Sequence, residues 1–230
     1  MEATEVRKLA ELEDEHWWYR ERRHLLAAQV RGLRPGVAVD VGAAGGGNTR
    51  VLRDLGWRAI PLEYGADGAE VAGGRGLPVV RGDATALPFA DAALDLVVAF
   101  DVLEHLVDDD LAAREVIRVL RPGGHFLVAV PADPRLWSAH DEAVDHVRRY
   151  TRSTLTTLLA RAGFDQGPMH SWNVLLRPVV AARRRSTTGS DLERLHPLVN
   201  RGLRAVVTAE RYLPVRRLPG VSLMVSARRP

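Results

Sequence analysis

The stretch Val37-Ala38-Val39-Asp40-Val41-Gly42-Ala43-Ala44-Gly45-Gly46-Gly47-Asn48 decides the fold. An apolar run ends at an acid, opens into glycines and leads into a segment with helical spacing, Asn48–Leu55. Strand, tight turn and helix follow from that order, and the glycines let the backbone come close to a ligand. Three more apolar runs end the same way: Arg58–Leu62 meets Glu63, Leu77–Arg81 meets Asp83, and Leu94–Phe100 runs into Asp101. Helical segments at Asp67–Ala72 and Asp108–Leu120, and a strand at His125–Val130, continue the alternation. Such a pattern predicts an α/β fold with a parallel sheet and helices on both faces. The acids then share one edge, the carboxyl ends of the strands, where open α/β sheets bind ligands.

Acidic strand tips suit a ligand with hydroxyls, amines and positive charge, and they repel a pyrophosphate. They point to S-adenosylmethionine more than to a dinucleotide. The spacing from Asp40 to Glu63 suits a ribose-diol acceptor at the next strand end. The full G-x-G-x-x-G pattern is absent, and so is the lysine of a phosphate-binding P-loop.

On these residues the chain resembles class I S-adenosylmethionine-dependent methyltransferases, over residues 37–171. The family's first motif, roughly D-x-G-x-G-x-G, is matched by Asp40, Gly42 and Gly46, with Ala44 in place of the central glycine. Arg118-Val119-Leu120-Arg121-Pro122-Gly123-Gly124 resembles the turn before the family's fifth strand. The resemblance implies a Rossmann-like sheet, mostly parallel, with an antiparallel last strand and a helical insertion between the last two strands. It implies that Glu63 binds the ribose hydroxyls, that Tyr64 packs on adenine, and that Asp83 accepts from the adenine amino group with a backbone contact from Ala84. Phe100 and Asp101 would flank the methionine part. His16-Trp17-Trp18-Tyr19-Arg20 with Arg22-Arg23 resembles a leader helix of one branch, in which Trp18 and Tyr19 would exclude water and Arg23 would pair with the cofactor's carboxylate. The product would be S-adenosylhomocysteine. Plain structural roles stand beside these: Asp40 as a cap, Asp83 as a turn residue, Asp101 as an N-cap for Val102–Leu106, Tyr64 and the tryptophans as packing.

Methyl transfer to a hydroxyl calls for a base, and histidine is the side chain suited to that near neutral pH. His105, beside Asp101, and His146, in His140-Asp141-Glu142-Ala143-Val144-Asp145-His146-Val147-Arg148-Arg149-Tyr150, are the acid/base or substrate candidates. Each has an ordinary structural alternative. Asp101-x-x-Glu104-His105 also resembles the E-x-x-E-H metal site of ubiquinone-pathway O-methyltransferases and small-RNA 3′-end methyltransferases, with His140 or His146 as the extra ligand. The expectation without that resemblance is no metal.

The reading divides the chain into a helical cap (1–34), a core (35–172), a helical insertion or lid (173–219) and a final strand (220–230). Within these, a helix is expected over Val6–Leu33 with breaks, another over Arg152–Ala162 capped by Thr151, a strand over Phe164–Trp172, helical pieces at Leu192–Leu195 and Leu203–Tyr212, and a strand at Val221–Ala227. The composition, 46% hydrophobic and 27% charged, is that of a globular domain. No cysteine is present, which removes disulfides and thiolate metal sites. No apolar run reaches the length of a membrane span, and Met1–Asp14 lacks the apolar core of a signal peptide. A cytoplasmic protein is expected.

The computed pI is 9.8, carried by arginine, since Lys8 is the only lysine. Arg183-Arg184-Arg185 and the arginines after Arg194 would be a nucleic-acid surface, but no aromatic residues alternate with them as stacking platforms. The expected partner is therefore a small-molecule acceptor, methylated on oxygen, of specialised or sugar-related metabolism. Rivals are an RNA methyltransferase, a nicotinamide-dependent oxidoreductase on the same sheet, and a repurposed S-adenosylmethionine-binding scaffold.

Overall fold

The computed structural model describes residues 7, 10–184 and 195–230. Its elements begin with helix α1 (Trp17–Val30), strand β1 (Val37–Val41), α2 (Gly47–Asp54), β2 (Arg58–Glu63), α3 (Ala66–Gly74), β3 (Val80–Arg81) and β4 (Leu94–Phe100). They continue with α4 (Asp109–Val119), β5 (Leu120–Pro131), α5 (Ala139–Ala143), α6 (Arg152–Ala162), β6 (Asp165–Gln166) and β7 (His170–Trp172). The last are α7 (Arg177–Arg183), α8 (Pro197–Glu210) and β8 (Ser222–Arg228).

The sheet runs β3-β2-β1-β4-β5-β8-β6, with β7 also paired to β8. Strands β1 to β5 are parallel, while β8 runs antiparallel to β5, with Phe126 opposite Ala227 and Val130 opposite Leu223. The Rossmann-like sheet with an antiparallel last strand is therefore present. The chain leaves β1 toward β2 and β3, then returns to β4 on the other side of β1. That reversal opens a crevice at the carboxyl ends of β1 and β4, the place where such sheets take ligands.

Both faces are covered, so the central strands are buried throughout. Alternate residues serve opposite faces. Val39, Val97, Phe126 and Val128 join Leu155 and Leu159 of α6, while Ala38, Leu96, Val98 and Leu127 join Leu26 of α1, Leu52 of α2 and Val207 of α8. Helix ends follow local chemistry. Asp108 caps α4 by accepting from Leu111 N at 2.8 Å, and Gly163 ends α6 at φ 94°.

Four expectations need correction. The strand at Leu77–Arg81 shrinks to Val80–Arg81, because Pro78 has no N–H to donate. Phe164–Trp172 splits into β6 and β7 around Gly167-Pro168-Met169, where Gly167 donates to Ser226 O at 2.9 Å. The break before α1 is one that the reading of the leader allowed, whereas β5 begins at Leu120, five residues ahead of His125. In the insertion α8 starts at Pro197, suited to a first helical turn; of the piece at Leu192–Leu195, residues 192–194 lie outside the described residues. Among the described residues no helix is long and apolar enough to cross a membrane.

Candidate active site

Glycine-loop geometry comes first. Gly42 follows β1 at φ 64° and donates to Leu62 O at 2.9 Å. Ala44 holds φ 46°, the left-handed conformation that the missing glycine would adopt without strain. Its N–H is held by the Glu63 Oε1 carboxylate oxygen. Gly46, at φ 79°, opens α2, and a Cβ there would strike the Leu77 side chain.

Asp40 lies beneath this loop rather than in it. Its carboxyl is fully buried and accepts from Thr49 Oγ1 at 2.7 Å, and burial pushes its pKa up to about 7. Burial also raises Glu63, against the lowering effect of the Ala44 N–H. Asp83 acts as a turn residue: its Oδ1 accepts from Thr85 N at 2.8 Å and Thr85 Oγ1 at 2.7 Å. Tyr64 is 75% exposed.

A cavity of ≈ 350 Å³ opens at the crevice. Tyr19, Arg23, Gly42, Phe100, Asp101, His105 and His146 line it, whereas Asp40, Gly46, Glu63, Tyr64, Asp83 and Ala84 stand outside its lining. The four strand-end acids share one edge of the sheet, and of the four Asp101 lines this cavity. Asp101 itself is paired, through Oδ2, with Arg22.

Arg22, not Arg23, is the buried arginine of the leader helix. Its side chain is 3% exposed, and its guanidinium lies 4.9 Å from the Phe100 ring, 5.4 Å from Trp172 and 5.9 Å from Trp18. Its Nη1 is buried with no hydrogen-bond partner. Arg23 is engaged by the leader's own acids, 3.3 Å from Asp14 Oδ1 and 3.6 Å from Glu13 Oε2. Buried Glu13 also holds Arg75, whose Nη1 donates to Gly45 O at 2.6 Å, so the leader is tied to the glycine loop.

At the other end of the cavity the turn Leu103–His105 meets the stretch around α5. His146 Nδ1 lies 2.8 Å from Asp141 Oδ1, and its Nε2 lies 3.8 Å from Glu104 Oε1. His105 Nδ1 lies 3.2 Å from Asp145 O, and the His105 and His146 ring centroids are 4.8 Å apart. Burial lowers the pKa of His105, and the neighbouring His146 lowers it further. Glu104 is fully buried, and both its carboxylate oxygens lack a partner. Burial, then the charge of Asp101, raises its pKa well above the carboxylate range. Asp141 is fixed by Arg149 Nε at 2.8 Å, and Tyr150 pins the turn by donating its one hydroxyl proton to Asp109 Oδ2 at 2.6 Å, with Leu103 O 3.2 Å away.

Residues 39–128 match the methyltransferase domain family. A Mycolicibacterium smegmatis protein described as a probable S-adenosylmethionine-dependent methyltransferase is 32% identical over 168 residues, which are 70% of this chain and 65% of that protein. Over residues 39–128 the chain carries a methyltransferase domain, and its similarity to S-adenosylmethionine-dependent methyltransferases extends beyond it. A demethylmenaquinone methyltransferase of Mycolicibacterium paratuberculosis is 33% identical over 124 residues, 54% of this chain and 52% of that one. The matched stretch is thus less than two thirds of either relative's length. A chain of the Haloferax volcanii complex between the Trm112 methyltransferase activator and a methyltransferase shares the fold, with TM-score 0.67 at 20% identity, over 99% of this chain and 94% of its own.

The site fits S-adenosylmethionine on its own geometry. Gly42 and Gly47 face the cavity, and Gly42, at φ 64°, holds the left-handed backbone that a side chain rarely adopts. The unpartnered Nη1 of Arg22 offers a buried donor for a carboxylate. Phe100 and Trp18 supply aromatic faces for a cation. Four residues of the site escaped the sequence reading: Arg22, Asp141, Arg149 and Asn173. Arg22 could have been chosen over Arg23, since it stands one helical turn from Trp18. Asn173, at φ 59° and fully buried, keeps both amide atoms unpartnered beside the cavity, and no spacing rule marks it.

Proposed function

We propose that this chain transfers a methyl group from S-adenosylmethionine to a hydroxyl oxygen of a small molecule of specialised or sugar-related metabolism. One observation carries the reading: a single cavity joins the glycine loop and the Arg22–Asp101 pair to the Glu104–His105–His146 cluster. When bound, S-adenosylmethionine supplies an activated methyl on a sulfonium. The chain then has to align acceptor and methyl and keep water out. Trp18, Trp172 and Phe100 exclude water around Arg22, which receives the carboxylate. Gly42 leaves room for the close approach of the cofactor, Asp40 supports the loop from below through Thr49, and Glu63, which holds the Ala44 N–H at the next strand end, turns to take the ribose hydroxyls when the cofactor binds. The acceptor lies under Leu176, Val179 and Val180 of the insertion. Its hydroxyl proton leaves toward the cluster, where Asp141 holds the His146 ring in one orientation.

A quinol-type acceptor is the second reading, favoured by the apolar cover and by the demethylmenaquinone methyltransferases among the relatives. Calorimetric titration with S-adenosylmethionine, S-adenosylhomocysteine and NAD tests the cofactor. The first two should bind and NAD should not, and Arg22→Met should weaken both by about tenfold or more, as the loss of a charged hydrogen bond implies. Tight NAD binding, or no S-adenosylmethionine binding by a folded protein, overturns the proposal. Transfer of a labelled methyl to a panel of hydroxylated sugars, polyketides and quinols, with products read by mass spectrometry, then separates the acceptor classes.

A further inference from the structure

We infer that Arg149 and Asn173 form the recognition site for an acceptor that is a hydroxylated carboxylic acid, with Arg149 taking the carboxylate and Asn173 a hydroxyl of the same molecule. The inference rests on the methyl-transfer reading and names the class of its acceptor. Both residues are buried and line the cavity, and both keep polar atoms that have no partner among the described residues. A buried polar group left that way is costly unless something arrives to satisfy it.

Both side chains are firmly anchored. Arg149 Nε donates to Asp141 Oδ1 at 2.8 Å and Nη1 to Ala132 O at 2.9 Å, which leaves Nη2 as the open corner of a fixed fork. Asn173 sits at φ 59°, a backbone that glycine adopts more easily, so the conformation alone does not call for an amide. Its turn is held by the buried Glu210 carboxylate, which accepts from Asn173 N, from Val174 N at 2.8 Å and from Leu175 N at 3.0 Å. The amide therefore offers an acceptor and a donor together from a fixed turn, the complement of a hydroxyl. The sheet sets the separation of the two groups. Ala132 N donates to Val221 O at 2.8 Å and Val221 N to Trp172 O at 3.0 Å, so the ends of β5, β8 and β7 stand side by side between them. Two strand spacings come to about 10 Å, room for one substituted ring.

Charge selects the acid. Of the acids that line the cavity, Asp101 is paired with Arg22, Glu13 with Arg23 and Arg75, and Glu104 is held toward its neutral form by burial and then by the charge of Asp101. None of these is left to repel an anion. Asp141, the counter-charge to Arg149, also lies 2.8 Å from His146 Nδ1 and 3.4 Å from Arg184 Nη1, so Arg149 has only a share of it. A carboxylate on Nη2 makes up the rest through a charged hydrogen bond.

The test uses the full chain and two sets of probes: gallate against pyrogallol and benzoate, and glucuronate against glucose and glucose phosphate. Affinities are read by NMR titration with and without S-adenosylhomocysteine. At least one of the two hydroxy acids should bind about tenfold or more tighter than its neutral counterpart, the scale of a charged hydrogen bond. Arg149→Met should erase that ratio, and the Asp141→Asn/Arg149→Met double variant, which removes both charges of the buried pair, serves if the single variant fails to fold. Asn173→Gly should weaken the hydroxy acid by about fivefold and leave benzoate unchanged. Equal affinity for acid and neutral probes, or a ratio retained in a folded Arg149 variant, overturns the inference. So does equal weakening of benzoate in Asn173→Gly, tighter binding of glucose phosphate than of glucuronate, or no binding of either acid. S-adenosylhomocysteine affinity, measured on the same samples, keeps the two readings apart: cofactor binding without the acid preference sinks the acceptor class and leaves the methyl-transfer proposal standing, whereas acid preference without cofactor binding sinks methyl transfer.

Discussion

Replacing Asp40 by asparagine should change how stability depends on pH more than it changes stability at any one pH. Asp40 is buried under the glycine loop with the Thr49 hydroxyl and backbone N–H donating to it, and its pKa still rises from the ordinary 3.8 to about 7. Below pH 4 the carboxyl is neutral in both folded and unfolded chains and costs nothing. Between about 4 and 7 the unfolded chain ionises while the folded one resists, so stability falls as pH rises. Above 7 both forms are ionised and the cost is constant. Each pH unit in that window is worth about 1.4 kcal/mol, so the whole effect is on the order of 4 kcal/mol. Asparagine keeps an acceptor for the Thr49 hydroxyl and cannot ionise. The advantage of Asp40→Asn over the wild type should therefore grow by about 3 kcal/mol from pH 5 to pH 7 and flatten by pH 8. Urea unfolding of both proteins at pH 5, 6, 7 and 8 measures it. Comparing the two chains cancels the opposing contributions of Asp133, held down to about 2 by Arg135 and Arg177, and of the other paired acids. Parallel stability curves would refute the assignment of a buried, reluctant carboxyl to position 40.

Other changes test the loop, the edge acid and the cover. Gly46→Ala should destabilise by roughly 1–3 kcal/mol, because the position needs a left-handed backbone and the new methyl meets Leu77; adding Leu77→Ala should recover only the contact part, as seen by thermal unfolding. Glu63→Ala should raise the calorimetric Kd for S-adenosylmethionine by about tenfold or more, the scale of a charged hydrogen bond, while leaving the circular dichroism spectrum intact; unchanged affinity counts against the ribose role. Arg211→Met strands the buried Glu21 carboxylate and should cost about 3 kcal/mol or more. The Glu21→Met/Arg211→Met double variant should regain a large part of that loss in the same denaturant titration.

The sheet was legible because its strands announce themselves twice, as apolar runs and as runs that stop at an acid or a glycine. Thr151 marked its helix correctly for a local reason, a side-chain oxygen ready for a free backbone N–H, and Asp108 turns out to play the same part at the start of α4. What stayed hidden depends on direction rather than on kind. Sequence order puts Asp40, Glu63, Asp83 and Asp101 at one edge, yet it does not say that Asp40 points down into the core or that Asp83 folds back on Thr85. Arg22 and Arg23 are neighbours in sequence and point to different partners, since consecutive helical residues face about 100° apart. The pairing of Asp141 with His146 depends on a short helix and a turn that no periodicity describes. Asn173 is invisible for a related reason: its burial follows from the insertion, whose path depends on tertiary contacts.

Those contacts join distant parts of the chain. Asn200 of α8 accepts from Trp17 N at 2.8 Å and donates to Glu15 O at 3.0 Å, and Arg211 clasps Glu21 in α1. Leader and insertion thus form one door over both halves of the crevice. If the proposed donor and acceptor both enter beneath this joined cover, the spent donor would leave by the same movement that admits the next acceptor. Turnover paced by that hinge would slow as solvent viscosity rises, and loosening the Glu21–Arg211 latch would remove the dependence.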